Sequence, residues 1–221
     1  MSDDLDDLIR RVDQDRWLSS RFIADPVARA DVIALYAYDH ELARAPKVAS
    51  NALLGEIRLT WWREMLDEAF EGRPVRAHPT AQALADVIAR RGLERAPLEA
   101  MIDGRYRELD PAPMTDVEAV DWARDCGGQA AALAVTILDP AADWAFALAA
   151  GSAWVLGRRL ADAPALQSAF DQSLNVARSA SRHLSAAAFP AVAHASLLTN
   201  PPASELGKRL RLTWAVARGR L

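Results

Sequence analysis

The chain has little cysteine and little glycine, and each shortage excludes a class of structure. Its 221 residues contain a single cysteine, Cys126, so an intramolecular disulfide framework is excluded and a reducing compartment is expected. The 10 glycines and 12 prolines stand mostly between periodic segments rather than inside them. Because alanine is abundant and β-branched residues are few, the composition favours helix along most of the chain.

Long apolar runs are missing as well. No stretch approaches the roughly 20 uninterrupted apolar residues that cross a bilayer, and the acidic start at residues 3–7 lacks the apolar centre of a signal peptide. The net charge of −4 gives no reason to expect nucleic acid as a partner. These absences predict a cytoplasmic protein with at most a peripheral contact on the inner face of the cytoplasmic membrane.

Proline and glycine divide the chain into helical segments. Asp25-Pro26 opens a predicted helix that runs to about residue 45, and a second predicted helix spans 51–71. Further helices are predicted at 79–91, 96–109, 115–138, 141–160, 165–188, 189–198 and 203–218. No segment alternates as a strand would. The sequence therefore predicts one domain over residues 1–221, an all-α bundle of eight to ten helices.

For two helices, the pattern predicts what the apolar face contacts. In the helix over 51–71, apolar residues repeat every four positions and predict a buried face, formed by Leu53, Ile57, Trp61, Met65 and Ala69. In the segment 206–214, apolar residues at 206, 210 and 214 have a basic flank and allow two interpretations. In the first interpretation, this helix lies on an anionic membrane surface. In the second, which we favour, it packs on the bundle.

Carboxylates spaced four apart are the pattern that binds Mg²⁺ in a helical bundle. Two such residues lie on one helix face and share the metal, and two facing pairs hold a diphosphate through it. Asp121 and Asp125 have this spacing and stand as an alternative metal site, although surface pairs beside an arginine are common. Cys126 precedes two glycines, which indicates close helix packing rather than a nucleophile.

Several segments resemble the squalene/phytoene synthase family, which joins two prenyl diphosphates head to head. Residues 31–38 (DVIALYAY) resemble the "ALYAF" helix of that family. Residues 56–64 (EIRLTWWRE), with 72–79 after them, resemble its "EIRLxWWRE" block. Residues 122–128 and 151–162 follow in the family's order. The resemblance covers nearly the whole chain and implies an isoprenoid-synthase-like helical bundle, shortened after Asp162.

The chain departs from this family at both acidic motifs. Where active members have the first Asp-x-x-x-Asp, the sequence has Ala43 and Lys47. At the second motif only Asp162 matches, its partner position holds Leu166, and Pro164 disturbs the helix between them. No cofactor is therefore expected, and Mg²⁺ would be needed only if the protein were an active synthase.

The same departures resemble a degenerate branch of the family, which includes an assembly factor of respiratory complex I. The resemblance implies a catalytically degenerate protein that acts in lipid binding or in assembly with a respiratory-complex subunit. The alternative is an active prenyltransferase that condenses isoprenyl diphosphates. No catalytic residue is assigned.

The expected ligand is a prenyl lipid or a prenyl diphosphate. Arg158 and Arg159 would hold its anionic head without metal, unless they are solvated or paired with Asp162. The ligand pocket is predicted to include Tyr36, Tyr38, His40, Glu41, Trp61, Arg158, Arg159 and Asp162.

Overall fold

Every regular element of the protein is helical in the computed structural model, which describes residues 2–47, 49 and 51–221. The α-helices of these ranges are α1 (Ser2–Val12), α2 (Gln14–Ser20), α3 (Pro26–Lys47), α4 (Ala52–Phe70), α5 (Pro79–Arg91), α6 (Arg95–Tyr106), α7 (Asp116–Ala123), α8 (Gln129–Leu138), α9 (Ala145–Gly157), α10 (Gln167–Ala180) and α11 (Glu205–Arg218). A π-turn at Arg124–Gly128 joins α7 to α8. The predicted all-α class is confirmed.

Local signals in the sequence set most of the helix ends. The Asn51 side chain accepts a hydrogen bond from the amide of Leu54 at 3.0 Å and begins α4. Thr115 and Glu118 form a capping box at the start of α7. Gly92 has φ +62° and ends α5 in the left-handed conformation that glycine tolerates.

The structure corrects the predicted helices in three places. The helix predicted at 165–188 begins at Gln167 and ends at Ala180, and a 3-10 turn at Ser181–His183 follows it. Helices α1 and α2 occupy residues before 25, where the sequence pattern indicates none. The helix predicted at 189–198 consists instead of two short 3-10 segments, Phe189–Ala191 and Ala193–Leu197. Val192 separates them because its backbone, with φ −122° and ψ −8°, leaves the helical conformation.

Helix α3 lies at the centre of the bundle and packs against α1, α2, α4, α5, α6 and α8. It is buried on nearly all sides, so even its carboxylates are buried and need partners. Asp31 accepts hydrogen bonds from Arg90 and Arg91, both at 2.7 Å. The second buried carboxylate, Asp39, faces the cavity described below.

The buried face of α4 differs from the predicted one. Leu53 and Ile57 are 63% and 55% exposed, so the face predicted from them is wrong over the first turns of the helix. A Cβ on Gly55 would lie 2.3 Å from Cδ2 of Leu109, which shows that α4 packs through its glycine. Because α4 approaches Leu109 through Gly55, the large side chains of Leu53 and Ile57 point towards solvent. The residues that α4 buries are Gly55, Leu59, Trp62, Met65 and Leu66.

Helix α11 packs on the bundle through Leu212 and Ala215. The predicted stripe faces away from the bundle, because Leu206, Leu210 and Trp214 are 68%, 63% and 60% exposed. Bundle packing of these three residues, the interpretation favoured by the sequence, is therefore wrong. No helix of the described part of the chain carries an apolar stretch that could cross a membrane.

A second apolar cluster lies beside the main core, between α7, the π-turn, α9 and α10. Backbone packs on backbone here: a Cβ on Gly151 would lie 2.0 Å from the carbonyl oxygen of Gly127. Cys126 is buried in this cluster and packs closely against Gly104, so the predicted small-residue packing is confirmed. Burial raises the pKa of the Cys126 thiol to about 12, which keeps it protonated at neutral pH and unsuited to act as a nucleophile.

Candidate functional site

A cavity of about 450 Å³ opens between α3 and the group formed by α7 and α9. Its walls include the aromatic rings of Tyr36, Trp122 and Trp154. Of the described residues that line it, six are cationic and four are carboxylates, which leaves an excess of two positive charges. These are Arg16, Arg44, Lys47, Arg105, Arg158 and Arg159, with Asp13, Asp39, Glu108 and Asp162.

Buried ion pairs connect the helices around this cavity. Asp39 accepts hydrogen bonds from Arg16 at 2.5 Å and from Arg105 at 2.8 Å, and Arg105 continues to Glu108 at 2.7 Å. All four side chains are almost fully buried. Burial by itself would raise the pKa of Asp39, but the two guanidinium groups outweigh it and hold this pKa below its usual value. Asp39 is therefore ionised and ties α2 and α6 to α3.

Two more arginines stand at the end of α9 and extend this network. Arg158 pairs with Asp13 at 3.2 Å and lies over the ring of Trp154, 5.4 Å from its centroid. Arg159 pairs with Glu108 at 3.4 Å and lies over Trp122. The predicted pairing of these arginines with Asp162 is therefore corrected.

Three of the four positions expected for the acidic pairs face the cavity. Ala43 and Lys47 both line it, as does Asp162, whereas Leu166 is buried in the second cluster. The segment around Asp162 is a turn between α9 and the 3-10 segment Pro164–Leu166, so it cannot present two residues on one helix face. At the first motif, a methyl group and an ammonium group line the cavity at the positions where the resemblance places two carboxylates.

The residues present do not fit a Mg²⁺–diphosphate site. Mg²⁺ needs free carboxylate oxygens, and the Asp13, Asp39 and Glu108 carboxylates are already bound to arginines. Over residues 2–47, 49 and 51–221, no group of three His, Cys, Asp or Glu side chains is arranged to hold a metal. Asp121 is exposed on α7 and Asp125 lies in the π-turn, where burial raises its pKa, and neither lines the cavity.

The predicted pocket residues fall into two groups. Tyr36, His40, Arg158, Arg159 and Asp162 line the cavity, and burial lowers the pKa of His40, which keeps it neutral at pH 7.

The other three lie elsewhere, so the prediction of one shared pocket is corrected for them. Tyr38 is fully buried and donates a hydrogen bond to the carbonyl of Leu98 at 3.0 Å. Glu41 and Trp61 line a separate cleft of about 290 Å³ beside α4.

The sequence prediction missed the buried charges that shape the cavity. Arg105 is the clearest of them, since it continues the apolar spacing of Leu98, Met101 and Ile102 on the buried face of α6. Asp39 stands in the same way among buried apolar residues of α3. A charged residue at a position where the helix period predicts a buried apolar residue indicates a buried ion pair.

Two solved structures share this fold. A dehydrosqualene synthase in complex with ligand superposes with a TM-score of 0.71 at 14% identity, over 98% of this chain and 95% of that one. The squalene synthase HpnC from Alicyclobacillus acidocaldarius gives 0.70 at 15% identity, over 99% and 94%. The protein therefore has the all-α isoprenoid synthase fold, and the predicted shortening after Asp162 removes no large part of it.

A family model for squalene/phytoene synthase matches residues 9–121, about half of the chain. The chain belongs to the squalene/phytoene synthase family.

Curated proteins with similar sequences are named NADH dehydrogenase (ubiquinone) complex I, assembly factor 6. The homolog from Dictyostelium discoideum is 22% identical over 117 residues, 53% of this chain and 33% of its own. The protein from Bos taurus is 25% identical over 115 residues, 52% of this chain and 34% of its own. The chain thus aligns with about a third of the length of these relatives.

Proposed function

We propose that this protein is a non-catalytic member of its family and acts in the assembly of respiratory complex I. The observation that carries the proposal is the pair Ala43 and Lys47, which face the cavity where a synthase needs carboxylates. The names of the curated relatives support the same conclusion. A synthase reaction without Mg²⁺ would have to release diphosphate with no metal to neutralise it, so we do not favour the prenyltransferase alternative.

We further propose that the cavity binds an anionic isoprenoid, a prenyl diphosphate or a prenyl lipid with an acidic head, without metal. Arg44, Lys47 and Arg158 stand at the cavity with exposed side chains, and guanidinium groups bind phosphate oxygens in pairs. The aromatic walls formed by Tyr36, Trp122 and Trp154 would receive apolar groups. Such a ligand places the protein at the inner face of the cytoplasmic membrane.

The assembly function is tested by deleting the gene and measuring NADH:quinone reductase activity in membranes. We expect the activity to fall and an expressed copy of the protein to restore it. In parallel, purified protein is incubated with farnesyl diphosphate, Mg²⁺ and NADPH, and no squalene or released diphosphate is expected. Turnover that EDTA abolishes would overturn the proposal in favour of the prenyltransferase. A deletion strain with normal complex I activity would overturn the assembly function.

Ligand binding is predicted to depend on arginine and lysine rather than on metal. Lys47→Gln with Arg158→Gln is expected to weaken binding of farnesyl diphosphate by about a hundredfold or more, because each of the two charged hydrogen bonds contributes roughly 1.5–3 kcal/mol. Calorimetry in EDTA measures the affinity. Arg58→Gln with Arg124→Gln is the matched control, since both arginines are exposed and outside the cavity. Binding that disappears in EDTA, or is equally weak in the control, would contradict the prediction.

A further inference from the structure

A second cationic cavity lies between α10, α11 and the 3-10 segment Ala193–Leu197. Its volume is about 280 Å³, and it is lined by four arginines. None of the described residues that line it is acidic. The arginines are Arg178, Arg211, Arg218 and Arg220.

These arginines have no carboxylate partner among the residues that the structure describes. Arg211 donates to the carbonyl oxygens of Thr199 and Asn200, both at 2.7 Å, and is held in place by them. Arg218 lies over the ring of Trp214, 3.7 Å from its centroid. Arg178 and Arg220 are exposed and unpaired. The cavity therefore gathers donors that have no anion to bind.

A buried hydroxyl in the same cavity is also unpartnered. Ser196 is only 7% exposed, and its Oγ atom is buried without a hydrogen-bond partner in the described part of the chain. Buried hydroxyl groups nearly always find a partner, so this one is open to a hydrogen bond with a group that enters the cavity. The carboxyl ends of α10 and α11 attract Arg178, Arg218 and Arg220, but they do not account for the unpartnered hydroxyl group of Ser196.

The exposed apolar stripe of α11 adjoins this cavity. Leu206, Leu210 and Trp214 follow one another at four-residue intervals, and Trp214 belongs to both the stripe and the cavity lining. A helix that exposes large apolar side chains beside basic ones is suited to lie at a membrane surface. Tryptophan prefers the boundary where one side is apolar and the other is wet.

We propose that the cavity binds the phosphate group of an anionic phospholipid while Leu206, Leu210 and Trp214 enter the outer part of the bilayer. Positive charge without acidic neighbours selects the anionic head, and the adjoining stripe selects a lipid over a soluble phosphate. This site is separate from the cavity beside α3. Its failure would leave the assembly proposal intact, and loss of the assembly function would leave this site intact.

Sedimentation with vesicles tests the head-group site. The protein is expected to bind vesicles of phosphatidylcholine and phosphatidylglycerol and to bind pure phosphatidylcholine far more weakly. Arg178→Gln with Arg220→Gln is expected to reduce binding by roughly tenfold or more, since each basic side chain at an anionic surface contributes about 1 kcal/mol. Arg58→Gln with Arg124→Gln removes the same charge elsewhere and is expected to retain binding. Equal loss in both variants would overturn the site.

A second pair of variants tests the apolar stripe. Leu206→Ser with Leu210→Ser is expected to weaken vesicle binding severalfold, whereas Leu53→Ser with Ile57→Ser, which are about equally exposed on α4, is expected to have little effect. Inorganic phosphate is the third arm and is expected to compete only weakly. Equal binding to neutral and anionic vesicles would overturn the lipid assignment. Tight binding of inorganic phosphate without binding to vesicles would overturn it as well.

Discussion

Asp39→Asn is expected to lower the free energy of unfolding by about 3–5 kcal/mol, the loss that follows when one partner of a buried ion network is removed. The carboxylate holds two guanidinium groups, Arg16 at 2.5 Å and Arg105 at 2.8 Å, where neither has access to water. An amide keeps the shape of the side chain but not its charge. Arg16 would then retain only Asp13, at 3.9 Å, as an ion-pair partner in the described structure.

Urea unfolding followed by far-ultraviolet circular dichroism measures this change. Asp121→Asn is the matched control, because Asp121 is exposed and its substitution is expected to shift stability by less than about 0.5 kcal/mol. The double variant with Arg16→Gln is expected to be more stable than the sum of the two single changes predicts, since it removes a charge together with its partner. Similar midpoints for Asp39→Asn and Asp121→Asn would contradict the prediction.

The same carboxylate gives the stability a dependence on pH. The pKa of Asp39 is depressed in the folded protein, so its contribution is present above the unfolded-state pKa, about 3.9, and is lost as pH falls through the folded-state pKa. Wild type is therefore expected to lose stability more steeply than Asp39→Asn below about pH 4. Urea midpoints of the two proteins measured from pH 7 downward are expected to converge in acid. A constant difference would contradict this.

Gly151→Ala is expected to destabilise the protein by about 3 kcal/mol, near the upper end for overpacking. The new Cβ would lie 2.0 Å from the carbonyl oxygen of Gly127, and backbone cannot move aside without separating α9 from the π-turn. Because Trp154 and Arg158 extend from the same part of the chain, the cavity beside α3 is expected to distort as well.

Gly55→Ala is the matched control for this change. Both glycines lie inside helices, and alanine gains up to about 1 kcal/mol in helix propensity at either one. At Gly55 the obstacle is Cδ2 of Leu109, the end of a side chain that can rotate. We expect Gly55→Ala to stay within about 1 kcal/mol of wild type in urea. Equal effects at both glycines would show that backbone contact does not decide the outcome.

Helix positions were predictable because their signals are local. Proline, glycine and capping residues act within one turn of the chain, and Asn51, Gly92 and Thr115 fix helix ends where the sequence places them. Which face each helix buries depends on neighbours that are distant in sequence. At α4, the contact between Gly55 and Leu109 overrides the four-residue repeat that begins at Leu53.

The sequence predicts only those features of the candidate site that depend on single residues. Ala43, Lys47 and Asp162 line the cavity as the resemblance implies, since the fold fixes where those positions point. The ion pairs of Arg105 could not be derived, because their partners lie on other helices or beyond the end of α6. The cavity lined by four arginines forms between α10 and α11, so the sequence of either helix alone does not predict it.

The arginine-rich network around Asp39 means that two added aspartates would not by themselves create a metal site. Aspartates restored at positions 43 and 47 would enter a cavity with surplus positive charge, where Arg44 and Arg158 would compete with Mg²⁺ for them. The second acidic pair would still require a helix in place of the turn around Pro164. A metal site built from two facing acidic pairs therefore needs several coordinated changes, each of no use alone.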